Sequence, residues 1–395
     1  MSTLGLNMII GPGEAKLMKR CLESFAAKDV FDEIVIVNTS NDSRIDEMAS
    51  YYTDKIFHFL WESERFPYGN FGGARDFARQ HSTTDKIMWL DADDVCLSQY
   101  SEKWLKTVSL VKDDQHKDIM LWSMPYAIIV DDGGNPTTWF KRERVFDRVK
   151  IEWQRPIHEM LYPEWEMVQH AEINGMYITH LPMKPTYSSA VRNVKILEHE
   201  YTVAGETDAQ TKYFLGRDLM FTGQVARGIA LLSEIVDDLQ VSYEMLYAIC
   251  IELVYFYAYG CNNPRPNIAN FKKENMQQIE GWCRLAIAFA PEYAEPCVIL
   301  GDAYWYKGAI DSSLKLYTVA MGKKLGVGKF QSTPFYCEIP AERLASVYTL
   351  KRNFGLALHY NRIALQMNKE LEYIHVRKEI IQLLIEEVHD EFGQN

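Results

Sequence analysis

The densest chemistry in the chain lies in one run, Trp89-Leu90-Asp91-Ala92-Asp93-Asp94, at the end of an apolar stretch. In extended backbone, residues two apart point to the same side, so Asp91 and Asp93 are expected to converge on one point. Paired carboxylates there suit a hard divalent cation, Mg²⁺ or Mn²⁺, completed by substrate phosphates. The competing structural reading is that Asp93 or Asp94 caps a following helix. A second cluster, Trp153-Gln154-Arg155-Pro156-Ile157-His158-Glu159, sets an imidazole and a carboxylate near an indole. In a partly apolar cleft beside Trp153, Glu159 is expected to have a raised affinity for a proton. His180 closes a short strand-like run; as a lone histidine it reads equally as a hydrogen-bonded core residue or a metal ligand.

Short apolar runs alternate with amphipathic ones through the first hundred residues. Strands are expected at residues 6–10, 33–37, 55–60 and 86–90, and helices at 14–25, 44–52 and 72–81. That alternation, with short connections, predicts a mostly parallel, doubly wound α/β sheet, in which ligands sit outside the carboxyl ends of the strands. Beyond about residue 193 the strand signals stop. Segments 212–232, 298–320 and 344–364 each read as helix, break and helix with small residues inside, the spacing of tetratricopeptide repeats. The expected division is an α/β domain over residues 1–200 and an all-α repeat domain over 201–395.

The chain has 395 residues, 47% of them hydrophobic and 24% charged, a composition that excludes low-complexity disorder, collagen and small disulfide scaffolds. The net charge of −12 gives no global field for nucleic acid or anionic membranes. One basic strip stands out: Lys141, Arg142 and Arg144, with Arg148, Lys150 and Arg155. Seven scattered cysteines without a C-x-x-C pair argue for a reducing compartment and against structural zinc. The start of the sequence does not read as a signal peptide, and the longest apolar stretch, 245–259, is short for a membrane span. A cytoplasmic protein is expected.

Several ordered motifs resemble family 2 glycosyltransferases of the GT-A fold: MII…GE…CLESF, DEIVIVNTSNDS, F…GGARDFA and IMWLDADD. Later stretches extend the resemblance: Arg144-Val145-Phe146 with the run from Ile151 to His158-Glu159, then His180, then Arg192-Asn193. They are similar to the family's RLFR…WxGxVHE and HxG…RN signatures. The whole arrangement resembles a bacterial subgroup carrying C-terminal tetratricopeptide repeats, which includes peptide S-glycosyltransferases of glycopeptide bacteriocins.

The resemblance implies roles. Asp91 and Asp93 become a DxD-type motif, with Asp93 the metal ligand and Asp91 nearer the ribose or diphosphate; His180 completes the metal shell. Arg75 approaches the nucleotide, where a guanidinium complements diphosphate charge. Ile10, Gly11, Glu14, Asn38 and Ala92 line the nucleotide-sugar site. Glu159 is the general base of an inverting transfer, His158 orients it or contacts the diphosphate, and Asp94 is the rival base. Trp61, Phe66, Tyr68, Phe71 and Trp153 either stack on a sugar or base or fill the core, and the run 66–73 is a mobile flap or a plain loop.

Three positions depart from the family pattern. Asn38 stands where many members have aspartate, Gly11-Pro12-Gly13-Glu14 replaces the usual Lys-Asn-Glu-Glu, and Asp76 replaces an asparagine. The implied function is transfer of a sugar, assisted by Mn²⁺ or Mg²⁺, from a UDP-sugar to a peptide side chain, a glycan or a hydroxylated base of viral DNA. The helical half would present a concave surface to the acceptor or to a second copy in a homodimer. The alternative is a non-catalytic repeat scaffold whose transferase domain has decayed.

Overall fold

In the computed structural model, which describes residues 1–130, 133–163, 167–182, 187–238, 240–260, 268–325, 331–368, 377–382 and 384–386, the run LGLNMII forms β1 (Leu4–Ile10), buried along its length. It pairs in parallel with β2 (Glu33–Asn38) and β4 (Lys86–Trp89), and β2 pairs in parallel with β3 (Ile56–His58). Parallel strands covered on both faces need apolar residues at successive positions, which the sequence of β1 supplies. Helices α1 (Ala15–Ser24), α2 (Ala27–Val30) and α3 (Ser43–Ala49) follow β1 and β2, and α4 (Phe71–His81) precedes β4. Because side chains alternate along a strand, Leu6, Met8 and Ile10 meet Met18, Leu22 and Ile45 on one face. Ile9, Val35 and Val37 meet Ala74 and Ala78 of α4 on the other. Asp42 caps α3, accepting from Arg44 N at 3.2 Å, and Asn70 caps α4, accepting from Gly73 N at 2.7 Å.

The sheet continues through β5 (Asp94–Cys96), β6 (Leu121–Val130), β7 (Pro136–Asp147), β10 (His170–Glu172) and β11 (Ile178–His180), with α5 (Ser101–Lys112) between β5 and β6. Two further strands, β8 (Glu152–Gln154) and β9 (Met160–Tyr162), form a separate hairpin. The order is β3-β2-β1-β4-β7-β6-β11-β5, with β10 also paired to β6. Strand β7 is antiparallel to both β4 and β6, and β5 is antiparallel to β11; the remaining pairings are parallel. The sheet is mixed and mostly parallel, and β4 lies where its parallel half meets the antiparallel β7.

The chain divides into two compact units, Met1–Gly228 and Ile229–Asn395. The boundary expected at 200/201 falls inside the first, which includes α6 (Tyr187–His199) and α7 (Ala209–Phe221). The physical reason is a set of side-chain contacts between α7 and residues 155–158, described below.

After α8 (Val225–Val236), the second unit is all helix: α9 (Tyr243–Tyr259), α10 (Met276–Phe289), α11 (Glu295–Tyr306), α12 (Ile310–Met321), α13 (Glu338–Leu350) and α14 (Phe354–Met367). Consecutive helices pack as pairs, α9 with α10, α11 with α12 and α13 with α14, in the manner of tetratricopeptide repeats. The three sequence segments read as helix pairs correspond to α7–α8, α11–α12 and α13–α14. Gly301 shows why small residues recur there: a Cβ at this position would lie 2.5 Å from the Tyr317 ring. The apolar stretch at 245–259 is α9, whose Tyr247, Cys250, Val254 and Ala258 are core. No helix among the described residues is long and apolar enough to cross a membrane. Cys261 lies outside the described residues; the other six cysteines are free.

Candidate active site

The apolar run of β4 ends at Trp89, and the chain turns: Asp94 N donates to the Asp91 carbonyl at 3.1 Å, and Asp91 N donates to Asp94 Oδ2 at 2.9 Å. Extended alternation therefore stops before the acidic residues, and Asp91 and Asp93 do not converge as the strand rule predicts. Asp91 faces α4, whereas Asp93 faces β11. The antiparallel register of β5 with β11 sets His180 opposite Asp94. Asp93, Asp94 and His180 then offer ligand atoms within 4.8 Å of one another. Asp91 is outside that group and Asp94 inside it. Neither Asp93 nor Asp94 caps a helix; they form the turn and the start of β5.

Two observations test whether a cation fits. Asp94 Oδ1 and His180 Nδ1 are both buried without a hydrogen-bond partner, and buried polar atoms are ordinarily satisfied. His180 Nδ1 lies 3.3 Å from Asp93 Oδ1 without hydrogen-bond alignment. Burial disfavours the His180 cation, but Asp93, with Asp94 and Asp91 behind it, outweighs this and raises its pKa. Two carboxylates and an imidazole, with unmet valence aimed at a common point, fit Mn²⁺ or Mg²⁺. Arg20 of α1 fixes the backbone around them by donating to the Leu181 carbonyl at 2.6 Å.

Arg75 organises the other side of the turn. It is buried, donates from Nη2 to Asp91 Oδ1 and from Nε to Glu159 Oε1, each at 2.6 Å, and leaves Nη1 without a partner. Burial pushes the Asp91 carboxyl up, but Arg75, Arg142 and Arg144 hold it well below the usual range. Burial likewise acts on Glu159, and Arg75 with Arg142 overcomes it, so its pKa is lowered. The raised proton affinity expected for Glu159 is thus corrected: the neighbour that sets its charge is Arg75, not the Trp153 indole. Asp94 behaves in the opposite sense. Burial raises its pKa even though Arg144 Nη1 bonds it at 2.8 Å, both side chains being fully buried.

The three guanidiniums of Arg75, Arg142 and Arg144 surround the Trp89 ring, 4.3, 4.5 and 4.1 Å from its centroid. Sequence reasoning missed this. Arg142 and Arg144 come from β7, and their approach to Trp89 depends on the β4–β7 pairing. The basic strip noted in the sequence is largely engaged within the protein, although Lys150 stays exposed. Arg144 is buried, Lys141 pairs with Glu172, Arg148 donates to the Thr84 carbonyl at 2.7 Å and Arg155 bonds Asp208.

The nucleotide-side candidates sit at the ends of β1 and β2. Glu14 does not cap α1; its Oε2 turns back to accept from Gly11 N at 2.7 Å. Burial raises its pKa, with Asp93 and Asp91 adding to it. The Ile10 carbonyl accepts from Thr39 N and Oγ1, both at 3.0 Å, and Ala92 is buried in the turn. Asn38 is buried and fully engaged. Its Oδ1 accepts from Ser40 N and Oγ at 2.9 Å, and its Nδ2 donates to Asp46 Oδ1 at 3.0 Å and the Asp42 carbonyl at 3.2 Å. An aspartate here would set two carboxylates against each other, which accounts for the amide. Asp76 also has a local explanation, since its Oδ1 accepts from Trp153 N at 3.2 Å and from Arg79 Nε at 2.6 Å. In the run 66–73, Asn70 and Phe71 belong to the start of α4, and Trp61 packs edge-on to Phe71.

His158 does not face the cation group. Its ring stacks on Phe214 of α7, and its Nε2 lies 3.5 Å from Asp218 Oδ2. Burial lowers its pKa against the opposing pull of Asp218. Arg192 of α6, named only as part of a motif, stacks over Phe71 at 4.5 Å and is electrostatically linked to both Glu14 and Glu159.

Residues 13–120 match the family model for glycosyl transferase family 2. A TPR repeat-containing protein of Synechococcus elongatus is 27% identical over 176 residues, which is 44% of this chain and 39% of that protein. The chain thus spans about two fifths of the length of that relative. Among solved structures, a thermophilic TPR protein of Thermus thermophilus shares 16% identity over 50% of this chain and 92% of its own, with a TM-score of 0.31. Glucosyl-3-phosphoglycerate synthase from Mycobacterium tuberculosis, solved with Mn²⁺ and UDP-glucose, shares 12% identity over 51% of this chain and 78% of its own, with a TM-score of 0.34. The chain carries a glycosyl transferase family 2 domain, followed by an all-helical, tetratricopeptide-like unit.

Proposed function

We propose that the first unit is a metal-dependent, inverting glycosyltransferase that uses a UDP-sugar. The observation that carries this reading is the arrangement about the β4 turn: a cation-fitting group on one side and an arginine-held carboxylate on the other. Asp93, Asp94 and His180 would hold Mn²⁺ or Mg²⁺, which offsets the charge that develops on a departing diphosphate. Arg142, half-buried and 3.9 Å from Asp91, and Arg192 are assigned to the phosphates. Gly11, Glu14 and Ala92 are assigned to the nucleoside side, whereas Asn38 is spent on Ser40, Asp42 and Asp46.

Glu159 is the assigned base. Arg75 occupies Oε1 and keeps the group ionised at neutral pH. Oε2 takes the acceptor proton while the acceptor oxygen or sulfur bonds to the anomeric carbon. The anomeric C–O bond breaks, and its electron pair leaves on the diphosphate. Asp94 is a weaker choice of base because it is fully buried against Arg144.

The acceptor is a peptide side chain, a glycan or a hydroxylated base; most of the basic strip is engaged internally, which leaves little basic surface for DNA phosphates. The test is thermal unfolding with UDP, GDP, ADP and CDP, each with and without Mn²⁺. A Mn²⁺-dependent rise with UDP, and UDP release from a UDP-sugar, is the expected result. No rise with any nucleotide would overturn the reading and leave a repeat scaffold. Mass spectrometry of candidate acceptors then separates the three classes.

A further inference from the structure

Glu159 follows a segment with unusual backbone. Arg155 and His158 have φ of +69° and +48°, the left-handed region that non-glycine residues rarely occupy. Such conformations persist only where the surroundings over-determine them, and both residues have their partners in α7. Arg155 donates to Asp208 at 3.0 and 3.3 Å and to Thr211 Oγ1 at 3.0 Å. Asp208 is at the same time the N-cap of α7, accepting from Gln210 N and Thr211 N. His158 stacks on Phe214, with ring centroids 3.8 Å apart and planes 11° from parallel, and approaches Asp218. Thr211, Phe214 and Asp218 fall three and four residues apart, on one face of the helix.

The backbone of the same segment is gripped from α4. Phe71 N donates to the Pro156 carbonyl at 2.7 Å, and Asp76 accepts from Trp153 N. Gly72 is required there, because a Cβ would lie 2.1 Å from the Arg155 carbonyl oxygen. Between these supports lies a cavity of about 350 Å³, lined by Phe66, Asn70, Arg155, Glu200 and Phe214. The segment therefore has room to relax once the side-chain grip of α7 is lost.

We propose that α7 holds the Glu159 segment in its working shape, with Asp218 and Asp208 as positioning residues acting through His158 and Arg155. This rests on the transferase reading above. Helix α7 is then a support of the site itself, and not solely the start of an acceptor or assembly surface. A displacement of about 1 Å at a reacting group costs on the order of 10²-fold in rate, which sets the size of the effect.

The test uses the full chain with Asp218→Asn and Asp208→Asn, each close to isosteric. Three readouts are taken: Mn²⁺-dependent UDP release from UDP-glucose and UDP-N-acetylglucosamine, UDP affinity by calorimetry, and hydrogen exchange over residues 153–162. Expected are a kcat lowered by about 10²-fold, donor KM and UDP affinity unchanged, and faster exchange confined to that segment. Unchanged kcat and exchange in both variants would overturn the proposal. So would loss of UDP affinity in step with kcat, which marks general structural damage. If the wild-type chain releases no UDP, the transferase reading fails, while the exchange data still decide whether α7 holds the segment.

Discussion

Both units bury carboxylates, and they do so in opposite ways. In the helical unit, Asp302 is wholly buried and every lone pair is used. Its Oδ1 accepts from Tyr317 at 2.8 Å and Arg343 Nε at 2.9 Å, and its Oδ2 from Tyr259 at 3.0 Å and Arg343 Nη2 at 3.4 Å. Glu295 is similarly held by Ser332 N, Tyr336 and Tyr247. In the α/β unit, Asp94, Arg75, Arg144 and His180 are each left with at least one buried donor or acceptor atom unpaired. A charge buried to fix a fold is saturated, since an unmet group costs stability. A charge buried for chemistry keeps valence in reserve for a ligand. The contrast distinguishes Asp302 and Glu295 from the charges about the β4 turn without reference to any motif.

The largest effect that sharpens this contrast is kinetic. Glu159→Gln keeps the shape and removes the proton acceptor, so UDP release should fall by about 10²–10⁴-fold with little change in unfolding; a wild-type rate would remove Glu159 from the mechanism. Asp302→Ala should act on stability instead. It leaves two Arg343 nitrogens and two tyrosine hydroxyls in the core without their partner, at a cost of about 3–5 kcal/mol in chemical denaturation. A loss under about 1 kcal/mol would break the comparison.

Glu295 supplies a pH test. Burial pushes its carboxyl up to about 7, from 4.5 when unfolded. A carboxyl raised in the folded state contributes fully below the unfolded value and loses that contribution as pH rises through the folded one. Stability should therefore fall by about 3 kcal/mol between these limits, and Glu295→Gln should flatten the profile. Smallest is Asp93→Ala, which should abolish the Mn²⁺-dependent part of nucleotide stabilisation. That part is roughly 2.7 kcal/mol at 100 times the dissociation constant. Retained stabilisation would exclude Asp93 as a ligand.

The first four strands and the paired helices were legible because they follow local periodicity. Buried parallel strands need continuous apolar runs, and helix pairs need small residues at fixed spacing. The second half of the sheet was not legible. Strand β7 mixes Thr, Trp and Phe with Lys and Arg, since Arg144 is buried and Arg142 half-buried against Trp89, Asp91 and Asp94 and neither can look apolar. The i, i+2 argument for Asp91 and Asp93 failed for a related reason. It assumed that the strand continued, whereas Asp94 closes a turn on Asp91. Asn38 and Asp76 looked like departures from a pattern, and each proves to satisfy a neighbour that sequence adjacency does not reveal.

By itself the sequence determined which residue types are available for chemistry, the class of each half and the order of the first four strands with their helices, because these depend on composition and short-range periodicity. Tertiary structure alone decided the partners. It exchanged Asp91 for Asp94 in the candidate cation group, gave Arg75 to Glu159, spent most of the basic strip on internal contacts and drew α7 into the first unit. Those outcomes rest on strand register and on desolvated charges finding one another across long stretches of chain, where interaction depends on distance in space and not along the sequence.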